Sequence, residues 1–266
     1  EKESMVEINM MISLVMGMII YMFVVMFGNM VMTSVINEKS NKIVEVIVSS
    51  VKPFDLMMGK IIGVASVALT QFLIWVVLTI AILMGVTAFA GGELFSNPEM
   101  VEQMGTMAPM DPSQIEALSS ESGISEVVGA IANINWGYII GCFLIYFVLG
   151  YLLYASMFAA VGSAVENEAD TSQLMIPITI PLIIGLLIMM QTFNNPDSSL
   201  SFWASMIPFT SPMVMLARVP FEGGVPTWEL LLSIGILLLT IIVVVYLAAK
   251  IYRVGILMTG KKYSWK

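Results

Sequence analysis

The sequence predicts an all-α membrane protein: a polytopic bundle of five transmembrane helices, with a cytoplasmic amphipathic helix and an extracytoplasmic re-entrant helical hairpin. Of its 266 residues, 58% are apolar and only 11% are charged, and the mean hydropathy is +0.93. Soluble domains carry about 25% charged residues. The charges also leave five uncharged runs of 20 to 39 residues, and about 20 apolar residues suffice for one membrane-spanning helix. Because the runs are continuous, they do not fit the alternating strands of a transmembrane β-barrel.

The uncharged runs place the membrane spans within a single domain, 1–266. The expected spans are about 9–36, 58–89, 134–165, 173–192 and 228–252. Pro177 and Pro181 should kink the fourth span. The second and third spans open with glycines four residues apart, Gly59 with Gly63 and Gly137 with Gly141. Such pairs let helices approach closely, either inside one bundle or between two copies.

A further uncharged stretch, 198–217, contains two prolines and is too irregular for a span. It predicts two short helices, about 200–207 and 212–219, which cannot cross ~30 Å at 1.5 Å per residue. We therefore expect a re-entrant hairpin, 200–219, that dips in from outside and forms part of an outer gate. Its candidate residues are Pro208, Pro212 and Arg218. The alternative is a loop that lies flat on the membrane surface.

The positive charges predict the orientation. Nine of the 11 basic residues lie in 36–60 and in the tail from 250 onward, and cytoplasmic loops are enriched in Lys and Arg. The N-terminus of the chain is then outside and the C-terminus cytoplasmic. The outside loop, 91–133, agrees with this orientation, because it carries seven acidic residues and no basic ones.

The loop between the first two spans predicts an amphipathic helix over 38–52. Its polar residues recur every three or four positions: Lys39, Lys42, Glu45, Ser49 and Lys52. Its apolar residues fall on the other face: Ile43, Val44, Ile47 and Val51. By itself this pattern indicates a helix at the cytoplasmic membrane surface.

Two motifs resemble those of the ABC type-2 permeases, in particular the sodium-efflux (NatB-like) branch. The first is Glu38-Lys39-…-Lys42-Ile43-Val44-Glu45-…-Ser49-Ser50-…-Pro53-…-Leu56-…-Gly59-Lys60. The second is Glu166-Asn167-Glu168-Ala169-Asp170-Thr171-Ser172-Gln173, followed by Pro177. The resemblance covers 8–258. Thr171-Ser172 departs from the Ala-Gln of many relatives.

This resemblance implies a transmembrane subunit of an ATP-driven exporter. Two permease halves, a second copy or a homologue, would pair with two cytoplasmic ATPase subunits that bind ATP and magnesium. The 38–52 helix would be the coupling helix that docks on an ATPase. The implied interface comprises Glu38, Lys39, Lys42, Glu45, Ser49, Lys52, Glu166, Glu168 and Asp170. Relatives usually begin with one more span and a large extracytoplasmic domain, so we expect both before Glu1.

The sequence offers no catalytic, metal or cofactor site of its own. It contains no histidine and one cysteine, Cys142. The segment from Gly255 to Lys261 matches the start of a phosphate loop, but Lys262 stands where the loop needs Ser or Thr. We expect a multi-pass protein of a prokaryotic cell membrane, with the lipid bilayer as a partner and no nucleic acid.

The substrate stays open at this stage. The family resemblance indicates sodium, but an amphiphile, a drug or a peptide fits the residues equally. Two other classes remain as alternatives. One is a non-transporting anchor or scaffold of a membrane complex, and the other is an ion-driven carrier, which the absence of charged residues from the middle of the spans disfavours.

Overall fold

The computed structural model describes residues 2–41, 51–90, 134–165, 170–221 and 224–257. Within these ranges the chain forms eight helices and no strand. In chain order they are α1 (Lys2–Ser40), α2 (Pro53–Ala90), α3 (Trp136–Ala164), α4 (Thr171–Leu174), α5 (Ile176–Thr192), α6 (Ser199–Met206), α7 (Ser211–Arg218) and α8 (Thr227–Leu257). The predicted loop 91–133, the residues 42–50 of the predicted coupling helix, the turn 166–169 and the tail from 258 lie outside the described residues.

Four of the described helices are long and apolar enough to cross a bilayer. The crossing segments are Ile8–Ser40, Pro53–Ile82, Trp136–Ala164 and Thr227–Gly255. They confirm an all-helical membrane protein. The predicted fourth span corresponds to α4 and α5, and α5 has 17 residues, about 26 Å at 1.5 Å per residue. The count of five spans therefore stays a prediction.

The helix break before α5 comes earlier than the prolines suggest. The chain turns at Met175, between α4 and α5. Pro177 then lies in the first turn of α5, where a missing backbone N–H leaves no helical hydrogen bond unmade. Pro181 lies inside α5, and the helix continues through it.

The chain folds into two compact units. The first holds 1–11 and 69–136, and the second holds 12–68 and 137–266. In the first unit, the described part of α2 exposes most of its apolar side chains. Leu73, Trp75 and Val77 are each more than half exposed, as expected for side chains that contact acyl chains in a bilayer.

The core of the second unit is built around α3. Sixteen of its 29 residues are buried. They include large aromatic side chains, of which Phe147 packs edge-on against Phe23 of α1, with ring centroids 5.4 Å apart. α1 and α3 also approach closely at Gly162, where an added Cβ would lie 2.7 Å from the carbonyl oxygen of Met32. Small residues at such crossings let two backbones touch.

The glycine pairs named from the sequence do not make this kind of contact within the described chain. A Cβ added at Gly59, Gly63 or Gly141 would meet nothing within 4 Å. Helix packing in the second unit instead uses isolated glycines, such as Gly162. The described structure therefore does not show these glycines packing inside the bundle. Packing between two copies of the chain stays open.

Candidate functional site

The end of α1 is bound to the end of α3 through one buried lysine. Lys39 is only 5% exposed, and its Nζ donates hydrogen bonds to the carbonyl oxygens of Ser163 (2.9 Å) and Val165 (3.0 Å). The last carbonyls of a helix have no partner inside the helix and carry the negative end of its dipole. The ammonium group therefore caps α3, and its own charge is compensated by the same carbonyls.

The residue before Lys39 connects α1 to two other helices. The Glu38 carboxylate forms an ion pair with Nζ of Lys60 in α2, with the two atoms 2.5 Å apart. Lys60 also donates to the hydroxyl of Tyr252 in α8 at 3.2 Å and lies 5.7 Å from the centre of its ring. Tyr252 is fully buried, and the Lys60 side chain is 9% exposed. Removing one member of such a shielded pair leaves an uncompensated charge.

We call Glu38, Lys39, Lys60 and Tyr252 the helix-end cluster. Two consecutive residues of α1 bind α2 and the end of α3, and Lys60 of α2 binds Tyr252 of α8, so the ends of four helices are held together at this point. Three cluster residues, Glu38, Lys39 and Lys60, belong to the first motif singled out from the sequence, and the cluster adjoins the second. α1 ends at Ser40, just before 42–50, and Val165, whose carbonyl Lys39 binds, is followed directly by 166–169.

The structure places the predicted ATPase-coupling residues in three groups. Glu38 and Lys39 are used inside the chain, in the helix-end cluster. Lys52 and Asp170 are exposed. The remaining residues lie outside the described part of the chain: Lys42, Glu45, Ser49, Glu166 and Glu168. The assignment of these residues to an ATPase interface stays a prediction.

Lys60 and Tyr252 were not among the predicted site residues. The signal for Lys60 was present in the sequence, because it is the only charged residue between Asp55 and Glu93. A lone charge near the start of a long apolar helix needs a partner or a route to water. Nothing in the sequence singles out Tyr252 among eight tyrosines.

The second site is the helix pair α6–α7, which the sequence placed at nearly the same residues. All eight residues of α7 are buried, unlike a loop that lies flat on a membrane surface. The pair is anchored to α3 at two points. Tyr154 donates to the Phe209 carbonyl at 2.6 Å, and a Cβ added at Gly150 would lie 3.0 Å from Pro212. Pro208 lies in the turn between the helices and is half-buried.

Local polar contacts shape this turn. The Ser198 hydroxyl caps α6 by accepting from the backbone N–H of Ser201, which satisfies one of the unpaired donors at a helix start. The Thr210 hydroxyl donates to the Ala204 carbonyl at 2.6 Å. Pro212 stands in the first turn of α7, where proline is well tolerated. Whether the pair enters the bilayer stays a prediction.

A buried arginine joins this helix pair to α8. Arg218, at the end of α7, is 5% exposed. Its Nη1 donates to Ser205 and to the Glu229 carboxylate, both at 2.9 Å, and its Nε donates to the Pro196 carbonyl at 2.9 Å. We call Arg218, Ser205 and Glu229 the Arg218 network. Asp197 lies 3.9 Å away and is 92% exposed, so its contribution is screened by solvent.

Sequence reasoning missed Ser205 and the acidic member of the network, Glu229. It is 8% exposed and lies in the first turn of α8, where a carboxylate is favoured by the helix dipole. Its position at the start of an apolar span, 11 residues after Arg218, was the available signal.

The two acids near Arg218 should differ sharply in their effect on stability. Glu229→Gln removes the charge that compensates a buried guanidinium and should lower the free energy of unfolding by about 3 kcal/mol. Asp197→Asn alters a distant, exposed pair and should change it little. Thermal unfolding in detergent, followed by size-exclusion chromatography, would check this. Equal losses in the two variants would contradict the assignment of Glu229 as the main partner.

Comparison with known proteins places the chain in a family. The family model described as "ABC-2 family transporter protein" matches residues 4–250. The uncharacterized protein YhaP of Bacillus subtilis (strain 168) is 30% identical over 252 residues, which are 95% of this chain and 52% of that protein. The uncharacterized protein MJ1024 of Methanocaldococcus jannaschii is 27% identical over 248 residues, 93% of this chain and 50% of that protein.

The chain thus spans about half the length of these curated relatives. No solved structure matches. Because the relatives are uncharacterized, they do not test the sodium-efflux branch, which stays a prediction. Members of the matched family are membrane components of ABC transport systems that typically pair with an ATPase subunit. With its four bilayer-length helices and a match over residues 4–250, the chain belongs to the ABC-2 transporter family.

Proposed function

We propose that this chain is the permease subunit of an ATP-driven ABC exporter, and that segment 38–52 docks on the partner ATPase as a coupling helix. The observation that carries the proposal is the helix-end cluster. The two residues that open this segment, Glu38 and Lys39, are bound to α2 and to the end of α3, and Lys60 extends the contact to Tyr252 of α8. A displacement of the segment by the ATPase would therefore move four membrane helices together.

Two helices lead from this cluster to the α6–α7 pair. In α8, Tyr252 belongs to the helix-end cluster and Glu229 to the Arg218 network. They are 23 residues apart, about 35 Å along a helix, slightly more than the ~30 Å bilayer core. In α3, Tyr154 holds the turn of the helix pair, about 15 Å from the end capped by Lys39. The two polar clusters would thus lie on opposite sides of the membrane.

The basic residues assign the sides. The positive-inside pattern puts the helix-end cluster at the cytoplasm, where the exposed Lys52 and Asp170 can meet an ATPase. The Arg218 network and the α6–α7 pair are then extracytoplasmic, as expected of an outer gate. ATP and magnesium bind in the ATPase subunit, and this chain contributes no catalytic group. A second copy or homologue completes the transporter, and the substrate is sodium, an amphiphile, a drug or a peptide.

A charge exchange between Glu38 and Lys60 should separate coupling from folding. Lys60→Glu places two carboxylates side by side and should lower ATP turnover of the purified complex in nanodiscs about tenfold. The double variant Glu38→Lys/Lys60→Glu restores an ion pair and should recover most of the turnover.

The matched control is Arg253→Glu, an exposed residue next to Tyr252. It should leave ATP turnover unchanged. If the double variant is as impaired as Lys60→Glu alone, the pair has no role in coupling. If no ATPase subunit co-purifies with the wild-type chain, the scaffold alternative replaces the exporter.

The membrane disposition of the α6–α7 pair can be tested by cysteine labelling. In a Cys142→Ala background, cysteines at Asn194 and Thr227 flank the pair and are exposed. If the pair dips into the bilayer and returns, both cysteines should react with an impermeant maleimide added to intact cells. A cysteine at Ser40 should react only after lysis. Opposite accessibility of Asn194 and Thr227 would mean that the pair crosses the membrane, which would rule out the re-entrant model.

A further inference from the structure

One face of α1 carries a groove that the proposed coupling path does not use. Its volume is about 560 Å³, and it runs from Met26 to Glu38, about 18 Å along the helix. The lining residues all belong to α1: Met26, Asn29, Met30, Thr33, Ser34, Asn37 and Glu38. The groove is shallow and open along its length, because a single helix supplies all of its lining residues.

The exposed polar side chains of this groove are two amides, and one of them, Asn29, lies at membrane depth. Asn29 is nine residues before Glu38, about 14 Å along α1, and both Asn29 and Asn37 are exposed. A primary amide has two donors and an acceptor, and its exposure to acyl chains without partners is unfavourable. A surface of this kind is poorly matched to lipid tails alone.

Hydroxyl groups elsewhere in the long helices are satisfied locally. Ser66 of α2 is exposed, and its hydroxyl donates to the carbonyl of Ile62, four residues earlier. Thr240 of α8 donates to the carbonyl of Ile236 in the same way. A serine or threonine can therefore face lipid at little cost, whereas one backbone bond would satisfy only part of the amide of Asn29 or Asn37, which has two donors and an acceptor.

The apolar part of the same face is a stripe of methionines. Met18, Met22, Met26 and Met30 recur every four residues and are each 46–49% exposed. The stripe is about 18 Å long, close to half of the ~30 Å bilayer core. Methionine is flexible and adapts to ligands of varied shape. An apolar stripe that ends in hydrogen-bonding groups matches a molecule with one chain and one polar head.

The charge of the groove restricts the head group. Glu38 is the only titratable residue of its lining, and Lys60 neutralises it in the helix-end cluster. The groove thus offers hydrogen bonds rather than net charge. We propose that this α1 groove binds the cargo of the transporter, a single-chain amphiphile with an uncharged, hydrogen-bonding head group. This inference rests on the proposed exporter function. The head contacts Asn29, and the chain lies along the methionines.

Photolabelling of the full-length chain in nanodiscs tests this inference without ATP. The probe is a monoacylglycerol with a diazirine in its acyl chain, and a diazirine alkane without a head group is the comparison. The monoacylglycerol should label the segment 18–37 more strongly than the apolar surfaces of α2 and α8, and the alkane should show no such preference. Asn29→Leu should reduce labelling of that segment about fivefold, the effect of losing one net hydrogen bond.

The controls separate binding from folding and from dimer formation. Ser66→Leu, an equivalent change on an exposed face of α2, should leave the labelling of 18–37 unchanged. Met30→Trp, which fills the groove and keeps both amides, should also reduce it. Even labelling of all lipid-facing helices, or no effect of Asn29→Leu and Met30→Trp, would overturn the proposal.

The other possible occupant of the groove is a second copy of the chain. In a Cys142→Ala background, complete disulfide cross-linking through Met26→Cys, with loss of labelling, would identify that occupant and overturn the proposal. Because the assay needs no nucleotide, its failure leaves the exporter function intact. Failure of the exporter function would instead appear as the absence of a co-purifying ATPase.

Discussion

The second unit depends on the way a buried ammonium group at the end of α1 is neutralised. Lys39 is almost completely buried, and a buried charge is tolerated only when its hydrogen bonds are made. The carbonyls of Ser163 and Val165 meet this need because the end of a helix leaves such groups unpaired. Separating Lys39 from these carbonyls would leave unsatisfied polar groups on both helices. α1 and α3 are thus joined at the place where each runs into a predicted ATPase-contacting segment.

The neighbouring ion pair extends this constraint to α2 and α8. Glu38 and Lys60 share a partly shielded site with the buried Tyr252. Because α8 also carries Glu229, it connects this site with the Arg218 network about 35 Å away. α3 is a second connection, because Lys39 caps its end and its Tyr154 binds the turn of the α6–α7 pair. A displacement of the ends of these helices would therefore also displace the α6–α7 pair.

The spans and the helix pair were predictable because they depend on local sequence. Long uncharged runs predicted the four bilayer-length helices, and Pro208 and Pro212 predicted the break between α6 and α7. The contacts of Lys39 were not predictable, because backbone carbonyls have no sequence signature. Close packing of α1 and α3 at Gly162 was also missed, since it uses one glycine against a backbone, whereas the pair Gly59 and Gly63 faces open space.

We propose that the helix-end cluster transmits the state of the ATPase to the α6–α7 pair. The most direct measurement is the reactivity of a cysteine at Trp203, which is 65% exposed in α6, in the Cys142→Ala complex. An impermeant maleimide would be added with and without ATP and vanadate. Nucleotide trapping should change the labelling rate in this background, and Lys39→Met, with the ATPase still bound, should abolish the change. An equal change in the Lys39→Met complex would mean that Lys39 does not transmit the nucleotide state.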